Sequence, residues 1–408
     1  MSIDRRKITY KLYPTAAQIV LLETLLRLHK DLWNGALQER IEAWRKAGTS
    51  ISYTDQCASL TQIRAELPED WAIMNCSSQQ ITLRRLDKAF QNFFRRVRAG
   101  QAPGFPRFKS IQRMPGFGFK GHGDGWRFTP SIGQRKGEEC WKHGTLRLQG
   151  VGLIKARGMA RTMGKIKACE LLHRHGEWHL SLTIECDPVR VGGSKVQAAD
   201  WGTEKLLSLI DANEVTRTID NPRWFKSHER RQIALDQAVS RKKRGSRGWY
   251  RAKRASAQFK ARIGRKRLDH HHQLSAEIAK ETAIFVTEEL TVRNMTASAS
   301  GTVDAPGKNV AQKSGLNREI LDTAPALLLS LITYKVKETG GWYLEAPTRK
   351  LKPSQRCPQC WAVKKKTLHE RVHRCACGLE MDRDMAAAHV MLRWAMHEQF
   401  GQELPKAA

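Results

Sequence analysis

The stretch of sequence that decides the fold reads CPQC at residues 357–360 and, after a basic spacer, RCACGLEMDRDMAAAHVM at residues 374–391. Two residues separate the cysteines of the first motif, and one residue separates those of the second. Each pair can place two thiolates on one tetrahedral metal ion across a tight turn, as structural zinc sites do. The predicted zinc ligands are Cys357, Cys360, Cys375 and Cys377. Because C-x-C is tighter than the usual C-x-x-C, His373 remains an alternative to Cys375 as the third ligand.

The other five cysteines argue against a disulfide framework. They are scattered at positions 57, 76, 140, 169 and 186. No N-terminal apolar segment resembles a secretion signal, so we expect a reducing compartment such as the cytoplasm.

An acidic pair follows the second cysteine motif directly. Asp382 and Asp384 precede an apolar run with good helix propensity, from Met385 to Leu392. The pattern predicts a carboxylate at the start of a helix, held beside a metal-bound turn.

The composition indicates a polyanionic partner. The chain has 408 residues, enough for two to four domains, and 71 Lys and Arg against 40 Asp and Glu give a formal charge of +31. Such an excess repels itself unless a polyanion compensates it, and the natural candidate is nucleic acid. No uninterrupted apolar run reaches membrane length, so we expect no membrane partner.

The N-terminal half combines a strand, helices and a β-rich region. Lys7 to Tyr13 alternates like a strand, and a helix capped by Thr15 continues to about Trp44. A second helix, Ser78 to Arg98, has one apolar and one cationic face, and the Gly- and Pro-rich loop 100–110 ends the helical block. Short alternating runs from Phe117 to about Asp187 predict a β-barrel built with the N-terminal strand, so the helical block is an insertion.

The C-terminal half alternates strands and helices, which predicts a mixed sheet of RNase H type. The predicted elements are a strand, turn and strand over Val196–Ile210 with the turn at Gly202, basic helices from Lys226 to Leu274 broken at Gly245 and Gly248, a strand at Ile284–Thr287, a loop at Ser298–Gly315, a helix at Arg318–Thr339 and a strand at Trp342–Ala346.

The basic helices suit a phosphate backbone and stacked bases, because aromatic residues stand between the cations. The candidate nucleic-acid contacts are Lys242, Lys243, Arg244, Trp249, Arg251, Lys253 and Arg254.

Three acids stand at the ends of the predicted elements. Asp200 lies in a strand, Glu288 directly follows another, and Asp384 begins the last helix. A carboxylate in or beside an apolar strand is costly unless a cation or hydrogen bonds satisfy it. Together the three form the hard-oxygen ligand set that two magnesium ions need for phosphodiester hydrolysis.

Several short motifs follow one another along the chain. They are KLYPTAAQ (11–18), WNGAL (33–37), GFPRFK (104–109), ADWG (199–202), VTEEL (286–290), YKVKETG (334–340), PSQRCPQC (353–360) and CGLEMDRD (377–384). By the order and spacing of these motifs, nearly the whole chain resembles the TnpB family of insertion-sequence proteins, RNA-guided DNA nucleases related to the compact type V CRISPR effectors. In that family the acids at the positions of Asp200, Glu288 and Asp384 are catalytic.

The resemblance also implies the architecture, an α+β multidomain fold with a wedge β-barrel, a helical recognition insertion and an RNase H-like RuvC domain containing a zinc ribbon. The implied domains are a wedge-barrel strand at 1–14, the helical recognition domain at 15–110, the wedge barrel at 111–192, RuvC at 193–350, the zinc ribbon at 351–380 and the RuvC C-terminal helix at 381–408. The implied partners are a guide RNA and double-stranded target DNA, recognised beside a short adjacent motif. The implied location is the cytoplasm of a prokaryotic cell, in association with the nucleoid when DNA is bound. By this resemblance Gln80 and Arg84 are candidates for reading that motif.

The sequence departs from the family pattern near the acids and the zinc ribbon. Ala386 and His389 stand where the family has asparagines, Trp201 stands where a small aliphatic residue is common, and Trp361 replaces a glycine. An asparagine two residues beyond the aspartate can orient it or a metal-bound water through a hydrogen bond, and alanine cannot. We therefore expect a slow nuclease.

Other functions remain open at this stage. One is an RNA-guided DNA-binding protein that represses its target without cleavage, and another is a compact type V CRISPR effector. A DNA-binding transposition accessory without a guide lacks support, because nothing resembles a groove-reading helix-turn-helix with its own dimer interface. The sequence leaves open the guide, the adjacent motif, the oligomeric state and the host role.

Overall fold

The computed structural model describes residues 4–71, 73–135, 137–160, 162–187, 190–302, 304–367 and 369–404. It divides the chain into two compact units, Met1–Pro188 and Val189–Ala408. The ends of the predicted segments 1–14 and 381–408, at residues 1–3 and 405–408, lie outside the described residues.

The first unit contains a seven-stranded sheet in which every neighbouring pair is antiparallel. Its strands are β1 (Asp4–Tyr13), β2 (Gly116–Phe119), β3 (Trp126–Arg135), β4 (Glu138–Leu148), β5 (Gly152–Ala160), β6 (Lys165–Arg174) and β7 (Glu177–Cys186). They lie in the order β2-β6-β7-β1-β5-β4-β3. The predicted N-terminal strand therefore joins the sheet built from residues 116–186, as expected.

The two edge strands of this sheet bury aromatic side chains in one core. Phe117 of β2 and Phe128 of β3 both lie in it, and the Tyr10 ring of the central strand lies 4.8 Å from the Phe128 ring. Alternation along β1 explains the arrangement, because Tyr10 and Leu12 point inward while Lys11 and Tyr13 do not. The sheet thus curves around a single core, and the described ladders end at β2 and β3.

The helices of the first unit follow β1 directly. They are α1 (Ala16–Ala47), α2 (Tyr53–Glu66), α3 (Pro68–Trp71) and α4 (Cys76–Arg98). Thr15 caps α1 in a capping box with Gln18, as its position predicts, and Asn75 caps α4. The two long predicted helices are confirmed, each a few residues longer than predicted.

The loop 100–110 is fastened to α1. Trp33 Nε1 donates to the carbonyl of Arg107 (3.1 Å), and Asn34 Nδ2 donates to that of Lys109 (2.9 Å). The Lys109 amide donates in turn to Asn34 Oδ1 at 2.8 Å. The WNGAL and GFPRFK motifs therefore form one structural unit.

The second unit contains a five-stranded mixed sheet and a two-stranded ribbon. The strands are β8 (Lys195–Trp201), β9 (Lys205–Asp211), β10 (Thr216–Asp220), β11 (Thr282–Glu288), β12 (Trp342–Ala346), β13 (Val372–Arg374) and β14 (Glu380–Asp382). The sheet order is β10-β9-β8-β11-β12, and β13 pairs with β14. The pairs β10–β9 and β9–β8 are antiparallel, whereas β8–β11 and β11–β12 are parallel. The predicted mixed sheet is confirmed, with β10 as an additional edge strand.

Helices cover both faces of this sheet. They are α5 (Glu229–Ser240), α6 (Arg247–Glu281), α7 (Val292–Met295), α8 (Val310–Thr323), α9 (Pro325–Glu338), α10 (Thr348–Leu351) and α11 (Arg383–Phe400). Ala199 and Phe285 belong to a core with α6 and α9, and Ala198 and Val286 belong to a core with α11. Because strand side chains alternate, each strand feeds both cores. None of the described helices has an apolar stretch long enough to cross a membrane.

Three details of the predicted helices are wrong. The break predicted at Gly248 is absent, because Ser246 caps α6 and the helix has already begun at Arg247. The helix predicted over Arg318–Thr339 is two helices that meet at Ala324, whose φ of 46° is left-handed. Proline at position 325 explains the restart, since it lacks an N–H and suits the first turn of a helix. The predicted loop 298–315 ends early, because α8 begins at Val310.

Candidate acidic site and cysteine cluster

Asp200, Glu288 and Asp384 lie on the same side of the second sheet. Ala198 of β8 and Val286 of β11 pack on the α11 side. Two residues further along each strand, Asp200 and Glu288 therefore point to that side as well. Asp384 lies in the first turn of α11, on this same side. The strand ends and the helix start bring the three predicted acids together.

The electrostatics of the acids also place them near one another. The pKa of Asp200 lies well above its usual value, first because of burial and then because of the charges of Glu288 and Asp384. Burial, with a further contribution from Asp384, raises the pKa of Glu288 to about 7. Carboxylates that repel one another in a partly buried position favour a bound cation.

The ligand atoms of the three acids do not form a closed cluster. Within the described ranges, the four cysteines form the one group of three or more His, Cys, Asp or Glu side chains whose ligand atoms all lie within 4.8 Å of one another. The three acids are therefore more widely spaced than that. Oxygen donors around such a gap fit magnesium, which binds few protein carboxylates and retains water ligands.

Asp382 has a different role from Asp384. Its Oδ1 accepts hydrogen bonds from the backbone amides of Asp384 and Met385, both at 3.1 Å, so it is the N-cap of α11. Its Oδ2 accepts from Lys205 Nζ at 2.7 Å. Lys205 was not predicted as a site residue, although it is the first residue of β9 after the ADWG turn. The cap leaves the Asp384 side chain available, with Arg383 Nε 3.7 Å from its Oδ1.

The departures from the family pattern have clear positions. Ala386 is buried in α11 and carries no donor. His389 Nε2 accepts from Arg393 Nε at 3.3 Å and lies 3.6 Å from Glu214 Oε1, so its ring is engaged elsewhere. Trp201 is buried in the core with α6 and α9, on the sheet face opposite the acids.

The four predicted cysteines form one cluster. Cys357 Sγ lies 3.7 Å from Cys377 Sγ, and Cys360 Sγ lies 3.4 Å from Cys375 Sγ. These distances are too long for disulfide bonds, whose sulfur atoms are about 2.05 Å apart. A tetrahedral zinc ion with Zn–S bonds of about 2.3 Å requires sulfur atoms roughly 3.8 Å apart, so the cluster fits zinc.

Tight turns hold the cysteines in place. The Cys357 amide donates to the Ala362 carbonyl (2.8 Å), and the Trp361 amide donates to the Cys357 carbonyl (3.0 Å). Trp361 has a left-handed φ of 63°, which explains why glycine suits this position. The Arg356 guanidinium lies 5.0 Å from the centre of the Trp361 ring and donates to the Trp361 carbonyl at 2.8 Å.

His373 lies outside the cysteine cluster. It is buried, and its Nδ1 accepts a hydrogen bond from Lys366 Nζ. Burial lowers its pKa, followed by the charges of Lys366 and Lys364. The structure therefore places Cys375, and not His373, in the cluster as its third cysteine.

The two candidates for reading an adjacent motif lie one turn apart on α4. Gln80 is partly exposed, and its Oε1 accepts from Lys120 Nζ at 2.6 Å. Arg84 is exposed, with its guanidinium 5.4 Å from the centre of the Tyr53 ring. The positions one turn apart give the two side chains a common face.

The other nucleic-acid candidates surround the connection between α5 and α6. Lys242, Lys243 and Arg244 are exposed in this connection, where Gly245 has a φ of 85°. The predicted residues in the first turns of α6 are Trp249, Arg251, Lys253 and Arg254. The Lys253 ammonium lies 4.6 Å from the centre of the Trp249 ring, so the cations and the aromatic surface are adjacent.

Comparisons with known proteins agree with the order of the sequence motifs. The model of the OrfB_IS605 family, described as "Probable transposase", matches residues 179–299. A model described as "Cas12f1-like, TNB domain" matches residues 326–391, and one described as "Helix-turn-helix domain" matches residues 1–49. The last region folds here as the strand β1 and the single helix α1, within the described residues from Asp4 onward.

Whole-chain comparisons cover most of the protein. The chain is 29% identical over 351 residues to InsQ of Escherichia coli (strain K12), named as a proposed RNA-guided DNA endonuclease, covering 84% of this chain and 80% of that protein. It is 28% identical over 401 residues to a protein of Streptomyces pristinaespiralis with the same type of name, covering 95% of this chain and 89% of the other.

A solved structure supports the fold. The protein chain in a cryo-EM structure of a Cas12f1–sgRNA–target DNA complex matches 96% of this chain and 99% of its own length, with a TM-score of 0.55 and 12% identity. Relatives that span most of the chain, together with family models in the order of the motifs, confirm that this chain is similar to the TnpB family of insertion-sequence proteins.

Proposed function

We propose that this protein is an RNA-guided endonuclease that cleaves double-stranded DNA beside a short adjacent motif. The observation that carries the proposal is the convergence of Asp200, Glu288 and Asp384 on the α11 side of a mixed sheet, with the pKa values of the first two raised. The names of the relatives, which describe RNA-guided DNA endonucleases, support it. In this proposal residues 193–350 and 381–408 form an RNase H-like RuvC domain.

The three acids would hold magnesium. When bound, two such ions supply an activated water and stabilise the leaving oxygen of the phosphodiester. Asp200 and Glu288 contribute from neighbouring parallel strands, and Asp384 contributes from the capped start of α11. Lys205 and Asp382 fix the start of that helix, so that the Asp384 carboxylate keeps its position relative to the strands.

The remaining features supply recognition and support. The curved sheet of the first unit acts as the wedge barrel, with the helices of 15–110 as the recognition insertion. The basic connection between α5 and α6 binds guide RNA, while Gln80 and Arg84 contact the adjacent motif. Zinc bound to Cys357, Cys360, Cys375 and Cys377 stabilises the ribbon, which pairs Val372 with Asp382 directly before α11.

The test compares two adjacent glutamates in protein loaded with its RNA. We expect magnesium-dependent cleavage of target DNA to be lost in Asp200→Ala and Glu288→Gln, with target binding retained. Glu289→Gln is the matched control, because Glu289 is exposed directly after β11. Target binding without cleavage at any magnesium or manganese concentration would contradict the nuclease, and so would equal losses in both glutamate variants.

The RNA partner has its own test. Because the charge excess implies a polyanion, we expect a structured RNA to copurify with the protein. Its sequence should map to the neighbourhood of the protein's own gene. Recovery of random cellular RNA alone would instead indicate a general nucleic-acid binder.

A second candidate function is RNA-guided DNA binding without cleavage. The buried Ala386 favours it, since this position lacks the amide that would support Asp384 or its metal-bound water.

The genes beside the one that encodes this protein distinguish its possible host roles. Terminal repeats favour a transposon protein, a repeat array favours a CRISPR effector, and a regulated operon favours a repressor.

A further inference from the structure

Ser208 lies directly opposite Asp200 in the antiparallel ladder of β8 and β9. Directly opposite residues on such a ladder point to the same face, with Cβ atoms about 4.5–5.5 Å apart. The clusters agree, because Ile210, two residues beyond Ser208, packs with α11. Ser208 therefore faces the same side as the three acids.

The Ser208 hydroxyl is buried and has no partner. Ser208 is 1% exposed, and no described group makes a hydrogen bond with its hydroxyl oxygen. A buried hydroxyl without a hydrogen bond costs free energy. Such a group needs an explanation, for example a hydrogen bond that forms only when a ligand is bound.

Asp200 has the complementary need. Within the described part of the chain, neither of its carboxylate oxygens accepts a hydrogen bond, and Glu288 and Asp384 lie close to it. A cation bound among these carboxylates would fix the position of the Asp200 oxygen that binds it, and a hydroxyl across the ladder can then donate to the carboxylate and hold its orientation.

We propose that Ser208 is a positioning residue for the acidic site. Its hydroxyl donates to the Asp200 carboxylate when a divalent cation is bound, and it thereby orients the oxygen that binds the metal. The inference depends on the proposed function only in taking Asp200 as a metal ligand. The proposed residue lies on β9, a strand that carries none of the three acids, and its hydrogen bond to Asp200 depends on bound metal.

If Ser208 has this role, Ser208→Ala should have different effects without and with bound metal. Without metal, Ser208→Ala removes an unsatisfied buried hydroxyl, so the stability of the chain should stay the same or increase slightly. With metal, the same change removes a supporting hydrogen bond, and such losses cost about 10–100-fold in metal affinity. A merely structural serine would instead lower stability in both states.

Thr287 provides a matched control. It lies on the neighbouring strand β11, is fully buried, and its Oγ1 is also without a partner. Its parity with Phe285 places it on the opposite face of the sheet, toward α6 and α9. Thr287→Val therefore removes a similar buried hydroxyl on the side away from the acids.

The experiment measures the melting temperature of the RNA-free, full-length chain as a function of magnesium concentration. We expect the magnesium concentration at half-maximal stabilisation to rise about tenfold or more in Ser208→Ala. It should return toward the wild-type value in Ser208→Thr, which restores the hydroxyl, and stay unchanged in Thr287→Val. In the absence of magnesium, Ser208→Ala should melt at or slightly above the wild-type temperature.

The outcomes separate this inference from the proposed function. If wild type and Ser208→Ala respond equally to magnesium, or if Ser208→Ala melts several degrees lower without metal, the positioning role is wrong and the nuclease proposal stands. If wild type itself shows no response, Asp200 is not a metal ligand, and both proposals fail. If Thr287→Val weakens the response as much as Ser208→Ala, the effect comes from the sheet core, which also overturns the inference.

Discussion

His29 is a fully buried imidazole that should make the first unit sensitive to acid. Its Nδ1 lies 2.8 Å from Thr82 Oγ1 and its Nε2 lies 2.9 Å from Ser78 Oγ, so the neutral ring is well satisfied. Burial, with a contribution from Arg85, lowers its pKa to about 3. The unfolded chain binds a proton below about pH 6.5, and the folded chain does not. The contribution of the neutral His29 ring to the stability of the fold is therefore fully present above about pH 6.5, and it is lost as the pH falls toward 3.

Between about pH 7 and pH 5, the free energy of unfolding of the first unit should fall by about 2 kcal/mol more in wild type than in His29→Gln. The expected slope is roughly 1.4 kcal/mol per pH unit below the pKa of the unfolded chain. Denaturant unfolding at both pH values provides the measurement. His369→Gln is the control, because His369 is exposed. This variant should show the same pH dependence of stability as wild type. Equal losses in wild type and His29→Gln would contradict the assignment.

Ala386 leaves Asp384 without the amide partner that an asparagine would supply. We expect Ala386→Asn to increase the cleavage rate by about 10-fold, because the amide supplies a missing partner beside Asp384. Since Ala386 is 1% exposed, the larger side chain should also cost about 1–3 kcal/mol of stability. Single-turnover cleavage and thermal unfolding measure the two effects. A change in stability without a faster rate would show that the missing amide does not limit cleavage.

The cysteine ribbon is the element with the simplest prediction. Cys360→Ser should reduce bound zinc and lower the melting temperature, because a structural zinc site contributes folding free energy. Cys76→Ser is the control, as Cys76 is exposed at the start of α4 in the other unit. Elemental analysis and thermal unfolding test the pair of variants. Unchanged zinc content in Cys360→Ser would refute the four-cysteine site.

The connection between α5 and α6 should govern the salt dependence of RNA binding. Replacing Lys242, Lys243 and Arg244 together by glutamine should reduce the slope of log affinity against log salt by about 2, at roughly 0.7 per lost phosphate contact. Lys46→Gln with Arg374→Gln is the control, because these cations already have acidic partners, Glu42 and Glu380. Filter binding over a range of salt concentrations supplies the slopes, and equal slopes in both variants would contradict this RNA-binding role.

Across the whole molecule, the charge of +31 should make stability depend on the partner. Added salt screens the self-repulsion of the RNA-free chain, so its melting temperature should rise between about 0.05 and 0.5 M salt. In the RNA complex the same salt weakens binding, and the melting temperature should fall. Calorimetry of both forms tests this, and parallel trends would show that RNA does not compensate the charge.

The sequence predicted the features that depend on local pattern. Strand alternation and a helix start are visible in the chain and predict that Asp200, Glu288 and Asp384 come together, and the cysteine spacing predicts the four-cysteine cluster. Tertiary contacts were not visible. Lys335 reads as a surface charge, yet it is 1% exposed and its Nζ donates to the His272 carbonyl and to Ser275 Oγ, both at 2.6 Å. The left-handed Ala324 divides a continuous apolar pattern that otherwise predicts one helix.

The position of β1 affects how the protein is made. This strand lies between β7 and β5, and Arg5 pairs with Glu185. Strand β1 therefore cannot complete its pairing until β7, whose paired residue lies 180 positions later, has been translated. At about 5–20 residues per second this takes roughly 10–40 seconds. During that time the chain carries an unpaired strand edge, to which a strand of another chain can pair.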